Sequence, residues 1–371
     1  MHDGHGCGIL IEKRIAERIS MFDEIVTPDE AGQKIKGIAA PLLDWFNWNK
    51  RTLPWRTDPT PYHVWVSEIM LQQTRVAAVL GYYDRFMQAL PDVKALAEVD
   101  EDELMKLWQG LGYYNRARNL KKAARVIMEK FGGTFPNTYE DILSLPGIGE
   151  YTAGAVASIG FGIPVPCVDG NVLRVLTRLT GDDSDITKPE TKRFLRDALL
   201  MAIPKEKPAA FNQALMELGA LVCVPNGAPD CENCPLKKQC TAYLEDCADA
   251  LPVKSVKAPR RIEERRVYLV FREGKVLLHR RAEKGLLAKL WEFPNVIIGE
   301  EAPVLIQNAA EGPKGKHIFT HIEWRMTSVL GETVGELPPD CVWAGKEELE
   351  TVYAVPNAFG AFMEEVEKRI R

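Results

Sequence analysis

The sequence predicts a multidomain protein, an all-α domain followed by a mixed α/β domain, and three observations carry that prediction. At 371 residues the chain exceeds what one hydrophobic core usually serves. From about Gly37 to Asp249 apolar residues recur at spacings of three and four, punctuated by Gly and Pro, as in a bundle of short helices. After Leu251 the stretch PVKSVKAPRR has few apolar anchors and reads as a linker, and beyond it the pattern turns to alternation. The expected divisions are an N-terminal extension (1–36), a helical domain (37–250), a linker (251–264) and the α/β domain (265–371).

Composition narrows the class. Hydrophobic residues make up 46% of the chain and charged residues 27%, which excludes the low-apolar, high-charge composition of disordered chains. No apolar run reaches the roughly eighteen residues of a membrane span, and the opening residues lack a signal-peptide core, so a cytoplasmic protein with no membrane association is expected. The formal net charge of −5 excludes a generally basic coat, so binding to a polyanion must come from local features.

The elements are justified in chain order. In the extension, Ile11, Ile15, Ile19 and Phe22 repeat in helix-like fashion, and His2, His5 and Cys7 are read as part of a floppy terminus in preference to a metal tract. Glu68 sits in VSEIML, an apolar helix with few other charges, a setting that favours a protonated carboxyl; taken alone, a helical Glu more often faces solvent. Leu145 to Gly149, LPGIG, separates two helical segments. Gly147 and Gly149 permit a tight turn, and the amides that open the next helix face outward, ready to hold a phosphate. Asp169 follows the apolar PVPCV and precedes Gly170, Asn171 and a helical run, the place of an N-cap; capping and chemistry are compatible there.

Of the eight cysteines, Cys7, Cys167 and Cys341 stand alone, whereas Cys223, Cys231, Cys234 and Cys240 follow one another at intervals of seven, two and five residues. In a chain without an export signal such a cluster points to metal before disulfides. Four thiolates suit either a tetrahedral zinc or a [4Fe-4S] cluster, and the spacing alone leaves both open. Cys247 breaks the pattern and is read as a bystander. In the last domain, RRVYLVFREGKVLLHR gives two β-rich runs separated by Arg272, Glu273 and Gly274, a hairpin signal; HIFTHIEWRMTSVLGETV alternates as a further strand, and PNAFGAFMEEVEKRIR closes the chain as an amphipathic helix.

Together LPWR (53–56), WVSEIMLQQTRV (65–76), GLGYYNRARNL (110–120), LPGIGEYTAGAV (145–156), PCVDGNVLRVLTR (166–178) and the cysteine set resemble the helix-hairpin-helix DNA glycosylase superfamily that includes endonuclease III, and more closely its adenine-removing MutY branch. The resemblance covers roughly residues 37–371. One departure is the first cysteine interval, seven residues where six is usual. The resemblance implies a two-lobed helical body with DNA in its cleft and a [4Fe-4S] cluster on Cys223, Cys231, Cys234 and Cys240. The implied reaction is base excision repair on double-stranded DNA: hydrolysis of the bond between adenine and its sugar, the adenine being mispaired with 8-oxoguanine or guanine. The protein is expected to act as a monomer, associated with a bacterial nucleoid during repair.

Such a reaction builds negative charge on the departing base and positive charge on the sugar, so it calls for a proton donor and an anion, with the nucleotide taken out of the stack first. By resemblance Glu68 is the general acid, Asp169 stabilises the sugar cation, and Asn171 helps position the reacting groups. Tyr151 stands where strand-cutting relatives carry a Lys that forms a Schiff base, which places this chain with the monofunctional branch. Arg56, Gln73 and Thr74 match positions near the flipped adenine and its pair. Leu111 and Tyr113 match side chains wedged where the base was removed, a role in which an apolar or aromatic group offsets lost stacking; read without the resemblance they are helix-end packing.

The segment GLLAKLWEFP resembles the Nudix hydrolase fold, so the second domain is expected to be Nudix-like. After WEFP it offers only Glu300, Glu301 and Glu311 and lacks the glutamate-rich helix that holds Mg²⁺, so no hydrolysis is expected of it. By resemblance it recognises 8-oxoguanine through Phe319, Thr320 and His321, with Thr320 where many relatives have Ser. Alternation alone would make the same residues a strand with one buried aromatic.

Overall fold

The computed structural model describes residues 27–255, 258–334 and 337–371. His2, His5, Cys7 and the Ile11 to Phe22 pattern lie outside the described residues. The helices, in chain order, are α1 (Pro28–Gly37), α2 (Ala39–Asn49), α3 (Pro54–Thr57), α4 (Pro61–Leu71), α5 (Val76–Ala89), α6 (Val93–Glu98), α7 (Glu101–Trp108), α8 (Asn115–Phe131), α9 (Tyr139–Leu143), α10 (Glu150–Ala155), α11 (Gly170–Thr180), α12 (Pro189–Ala202), α13 (Pro208–Leu221) and α14 (Thr241–Leu244). A π-helical turn, Val156–Gly160, continues α10. Their ends are written in the sequence. Thr27, Thr60, Asp92, Asp100, Thr138 and Asp169 each accept an amide hydrogen bond as N-caps. Gly132 and Gly181, both left-handed, end α8 and α11.

The chain packs as two compact units, one from residues up to Thr52 with Ala153–Ser255, the other from Leu53–Thr152 with the C-terminal part. In the first unit α1 packs on α12, and Ile35, Leu42, Phe46, Leu176, Leu199 and Phe211 lie in one core. The expected extension to residue 36 is therefore corrected: a capping box of Thr27 and Glu30 starts α1 at Pro28, and Ala31 and Ile35 enter the core.

The second unit joins α3 to α9 to the C-terminal sheet, so its boundaries differ from the helical domain and α/β domain expected from the pattern. The cause is a set of hydrogen bonds that periodicity does not register. Lys106 Nζ donates to the Leu349 carbonyl (2.6 Å), Gln109 Nε2 to Val355 (2.9 Å) and Arg118 Nη2 to Ala288 (2.6 Å).

The strands are β1 (Arg261–Arg272), β2 (Lys275–Arg280), β3 (Trp291–Glu292), β4 (Asn295–Ile297), β5 (Ile306–Glu311), β6 (Gly315–Ile318), β7 (Ile322–Thr333) and β8 (Cys341–Ala344), followed by α15 (Lys346–Thr351) and α16 (Gly360–Glu367). They form one sheet of order β3-β2-β1-β7-β5, with β4 also on β1, β6 on β7 and β8 on β2. β1 starts four residues before the expected boundary because Arg261 to Val270 pair in parallel with Ile322 to Gly331. The β1–β2 hairpin is as expected: Glu273 (φ 50°) and Gly274 (φ 74°) supply the two positive φ angles of a tight turn. The strand expected over 317–334 is corrected to two antiparallel strands, β6 and β7. The chain reverses at Phe319, Thr320 and His321, where the Phe319 amide donates to the Ile322 carbonyl at 2.8 Å. Among the described residues no helix lies between β4 and β5.

One face of the sheet is sealed by Phe293, Trp324, Phe359 and Phe362, all fully buried. The Phe359 ring lies 5.9 Å from Phe293 and 6.1 Å from Trp324. Replacing Phe359 by Ala is expected to lower stability by about 3–5 kcal/mol, read as a shifted urea midpoint. An unchanged midpoint would show that this aromatic cluster does not hold the sheet.

Candidate active site and cysteine pocket

Helix α4 is apolar on every side, and residues Val64 to Met70 are all buried, Glu68 among them at 7% exposure. A carboxyl in such a place needs a donor. The Tyr151 hydroxyl supplies one, donating to Glu68 Oε2 at 2.5 Å. Tyr151 is the second residue of α10, immediately after the LPGIG turn. In that turn Gly147 has φ 76°, and a Cβ on it would fall 2.5 Å from the Asn119 Cβ, so only glycine fits. A Cβ on Gly149 would meet nothing within 4 Å, and the residue is exposed, leaving the mouth of the turn open to an approaching group.

The residue that organises this region is one the motif reading quoted but did not single out. Arg116, buried in α8, donates through Nη1 to the carbonyls of Ile69 (2.8 Å), Met70 (2.9 Å) and Gln72 (2.7 Å), and through Nη2 to those of Leu111 and Gly112 (both 3.0 Å). The first three are carbonyls at the C-terminal end of α4, which have no partner within the helix, and a guanidinium there also meets the negative end of the helix dipole. Burial pulls the Arg116 pKa down to about 10. A signal was available: Arg116 stands four residues before Leu120 and so on the apolar stripe of α8, with Ala123 and Ile127.

The segments that Arg116 ties down carry the DNA-facing candidates. Gln73 is exposed at φ 57°, and Thr74 Oγ1 accepts from Arg116 Nη2 at 3.4 Å. Tyr113 holds φ 49° and is 49% exposed, whereas Leu111 is buried, so of the two expected wedges only Tyr113 stands outward. Its hydroxyl lies 3.2 Å from Thr320 Oγ1, which joins the helical part of the unit to the β6–β7 turn. Phe319 is packed edge-on between His317 (4.6 Å) and Trp324 (4.8 Å), while Thr320 and His321 are exposed. A cavity of about 550 Å³ lies here, lined among others by Tyr113, Asn119, Leu286, His317, Phe319 and Thr320. Burial lowers the His317 pKa. Arg56 is half-buried in the single turn of α3, next to Trp55, whose ring meets Tyr83 edge-on at 5.1 Å.

In the first unit Asp169 caps α11. Its Oδ1 accepts from the Val172 amide at 2.8 Å and its Oδ2 from Asn171 Nδ2 at 2.7 Å. Burial pushes its carboxyl up, and these two bonds pull the other way by favouring the anion. Asn171 is held in turn: Arg174 Nη2 donates to its Oδ1 at 2.9 Å and to the Gly219 carbonyl at 2.8 Å, and Arg174 Nε donates to the Cys223 carbonyl at 2.7 Å. A Cβ on Gly219 would fall 2.7 Å from that of Asn171, so glycine lets α13 approach α11.

Cys223, Cys231, Cys234 and Cys240 line one small pocket with Arg178 and Lys237. Arg178 Nη1 donates to Cys223 Sγ at 3.2 Å, and Cys240 Sγ donates to the Arg178 carbonyl at 3.3 Å. Burial pushes the Cys234 thiol up to about 12 and raises Cys231 and Cys240 in the same direction, each thiol adding to its neighbours. Among the described residues no three His, Cys, Asp or Glu side chains are disposed to hold a single metal ion. Four cysteines lining one pocket with a guanidinium beside them are a donor set that suits a thiolate-bound metal group. The loop between Cys223 and Cys231 turns at Gly227, which has φ 79°.

The structure thus brings Glu68 to Tyr151, Asp169 to Asn171, Tyr113 to Thr320, and the four cysteines to one pocket. Residues 66–199 match the HhH-GPD superfamily of base excision DNA repair proteins, and residues 266–365 match the NUDIX domain. The adenine DNA glycosylase of Buchnera aphidicola subsp. Baizongia pistaciae is 38% identical over 258 residues, which cover 69% of this chain and 73% of that protein. The chain belongs to the adenine DNA glycosylase family. The mouse adenine DNA glycosylase is 39% identical over 309 residues covering 69% of this chain, which spans 60% of the mouse protein's length. Among solved structures, a thermostable thymine-DNA glycosylase superposes with a TM-score of 0.53 at 31% identity, covering 57% of this chain and 98% of the other. The helix-hairpin-helix and Nudix-like fold classes expected from the motifs are borne out. No helix among the described residues is long and apolar enough to cross a membrane.

Replacing Arg116 by Met removes the donor of five backbone carbonyls and is expected to lower stability by about 3 kcal/mol. Amide exchange should quicken at residues 70–74 and 110–114 before the rest of the unit. Exchange confined to wild-type rates there would mean that the two segments hold themselves.

Proposed function

We propose that the protein is a monofunctional DNA N-glycosylase that removes adenine mispaired with 8-oxoguanine or guanine. The observation that carries the reading is the contact of Tyr151 with buried Glu68: a phenol, not an amine, stands beside the proton-donating carboxyl, so base removal proceeds without a Schiff base to the sugar. Glu68, enclosed by the apolar α4, passes a proton to the flipped adenine and so neutralises the leaving base. Asp169, oriented by the Val172 amide and Asn171, stabilises the sugar cation with its carboxylate until water attacks. The open turn at Gly147 and Gly149 takes a backbone phosphate through its amides. Arg56, Gln73 and Thr74 line the approach to the mispair, and Tyr113 fills the gap left by the extruded base, with Leu111 packed beneath it.

Thr320 and His321, supported by Phe319, read the base opposite the adenine at the rim of the cavity beside Tyr113. The Nudix-like domain serves recognition and does not hydrolyse nucleotides, since after WEFP the sequence lacks the glutamate-rich pattern that holds Mg²⁺. Cys223, Cys231, Cys234 and Cys240 hold a [4Fe-4S] cluster, which when bound fixes their loop and, with Arg178, its charge balance. The partner is double-stranded DNA, bound by a monomer in the cytoplasm.

A labelled duplex with one adenine opposite 8-oxoguanine tests the reading. Strand cleavage is expected only after hot alkali, whereas cleavage without alkali would overturn the monofunctional assignment. Glu68→Gln and Asp169→Asn are each expected to slow excision at least about a hundredfold. Tyr151→Phe should move the alkaline limb of the excision profile to higher pH, because the lost hydrogen bond favoured the Glu68 carboxylate over the acid that donates the proton.

A further inference from the structure

The reading of Asp169 as the group that stabilises the sugar cation raises the question of what fixes its backbone. The residues before it, Ile163 to Val168, belong to no helix or strand. Pro164 and Pro166 remove two of the amides by which such a segment could be anchored. The structure nevertheless holds it from two sides. A Cβ on Gly154 would lie 2.3 Å from the Pro166 carbonyl oxygen, so α10 runs directly against the segment, and Ser158 Oγ meets Cys167 Sγ at 3.2 Å.

From the other side comes one side chain of α13. Asn212 is fully buried, its Oδ1 accepting from the Cys167 amide at 3.1 Å and its Nδ2 donating to the Val165 carbonyl at 2.9 Å. Donor and acceptor are spent on alternate residues of an extended chain, as a neighbouring strand would spend its amide and carbonyl. The first of these bonds ends two residues before Asp169.

We infer that Asn212 is a positioning residue for Asp169: by standing in for a strand, its carboxamide sets where the segment enters the N-cap of α11 and so where the carboxylate points. The inference rests on the catalytic reading of Asp169. The Asp169 side-chain bonds to Val172 and Asn171 fix its orientation on α11, and Asn212 fixes the chain that leads into it. Neither duty touches DNA, so the inference separates chemistry from binding. Asn212→Leu matches the volume and removes both hydrogen bonds; Asn212→Asp keeps the acceptor for Cys167 and loses the donor to Val165.

The test measures single-turnover adenine excision at saturating enzyme, and Kd for the same duplex carrying a non-hydrolysable 2′-fluoro adenosine. The Leu variant is expected to lose about ten- to a hundredfold in rate with Kd within about threefold of wild type, and the Asp variant to fall between the two. A Leu variant that excises at the wild-type rate overturns the inference. So does a rate that falls only in step with DNA affinity and Tm, in either variant, since that marks a purely structural role; should the Leu variant fail to fold, the Asp variant decides alone. Wild-type protein that leaves adenine in place would instead sink the reading of Asp169 itself.

Discussion

A cation buried without a carboxylate partner among the described residues holds the outward-facing parts of the second unit in place. Arg116 spreads its charge over carbonyls from two segments far apart in sequence, and burying a charge is tolerable only when hydrogen bonds such as those of its two terminal nitrogens offset the lost hydration. The consequence is geometric. Gln73 and Tyr113 both sit in left-handed backbone, a conformation that costs a non-glycine residue energy. They can be kept there because the carbonyls beside them are fastened to one planar group. The loops that bear the DNA-facing candidates are thus rigid by construction, and their strain is carried by α8.

The two carboxylates of the proposed reaction are held by opposite devices. Glu68 lies within a helix whose own amides are already bonded, so its donor comes from a side chain of another element, the Tyr151 hydroxyl. Asp169 lies at a helix start, where unpaired amides and the positive end of the dipole favour an anion. One setting suits giving up a proton and the other suits facing a cation, a division made by position in secondary structure more than by the side chains themselves.

Much of this was legible in the sequence because it is local. Caps, the glycine turn at 147–149, the hairpin at Glu273 and Gly274 and the clustered cysteines follow from residues close together in the chain. What escaped was set by long-range hydrogen bonds. The pairing of β1 with β7 moved a strand boundary into the presumed linker. A turn at Phe319 to His321 interrupted what alternation reads as one strand, because alternation has the same period on both sides of a reversal. Arg116 and Asn212 escaped for a related reason: each is a polar residue on an apolar stripe, and although that position is itself a signal, their partners are backbone groups that the sequence does not name.

The first unit is assembled from two stretches of chain separated by a hundred residues of the other. Helix α1 finds the surface that buries Ala31 and Ile35 on α12, more than 150 residues later. During synthesis that apolar stripe emerges long before its partner exists, so the first helices must wait, solvated or shielded, until α12 leaves the ribosome. The second unit likewise cannot close until the final strands arrive. Each unit therefore closes only once stretches far apart in the chain have both been made, so neither folds in the order in which its residues are joined.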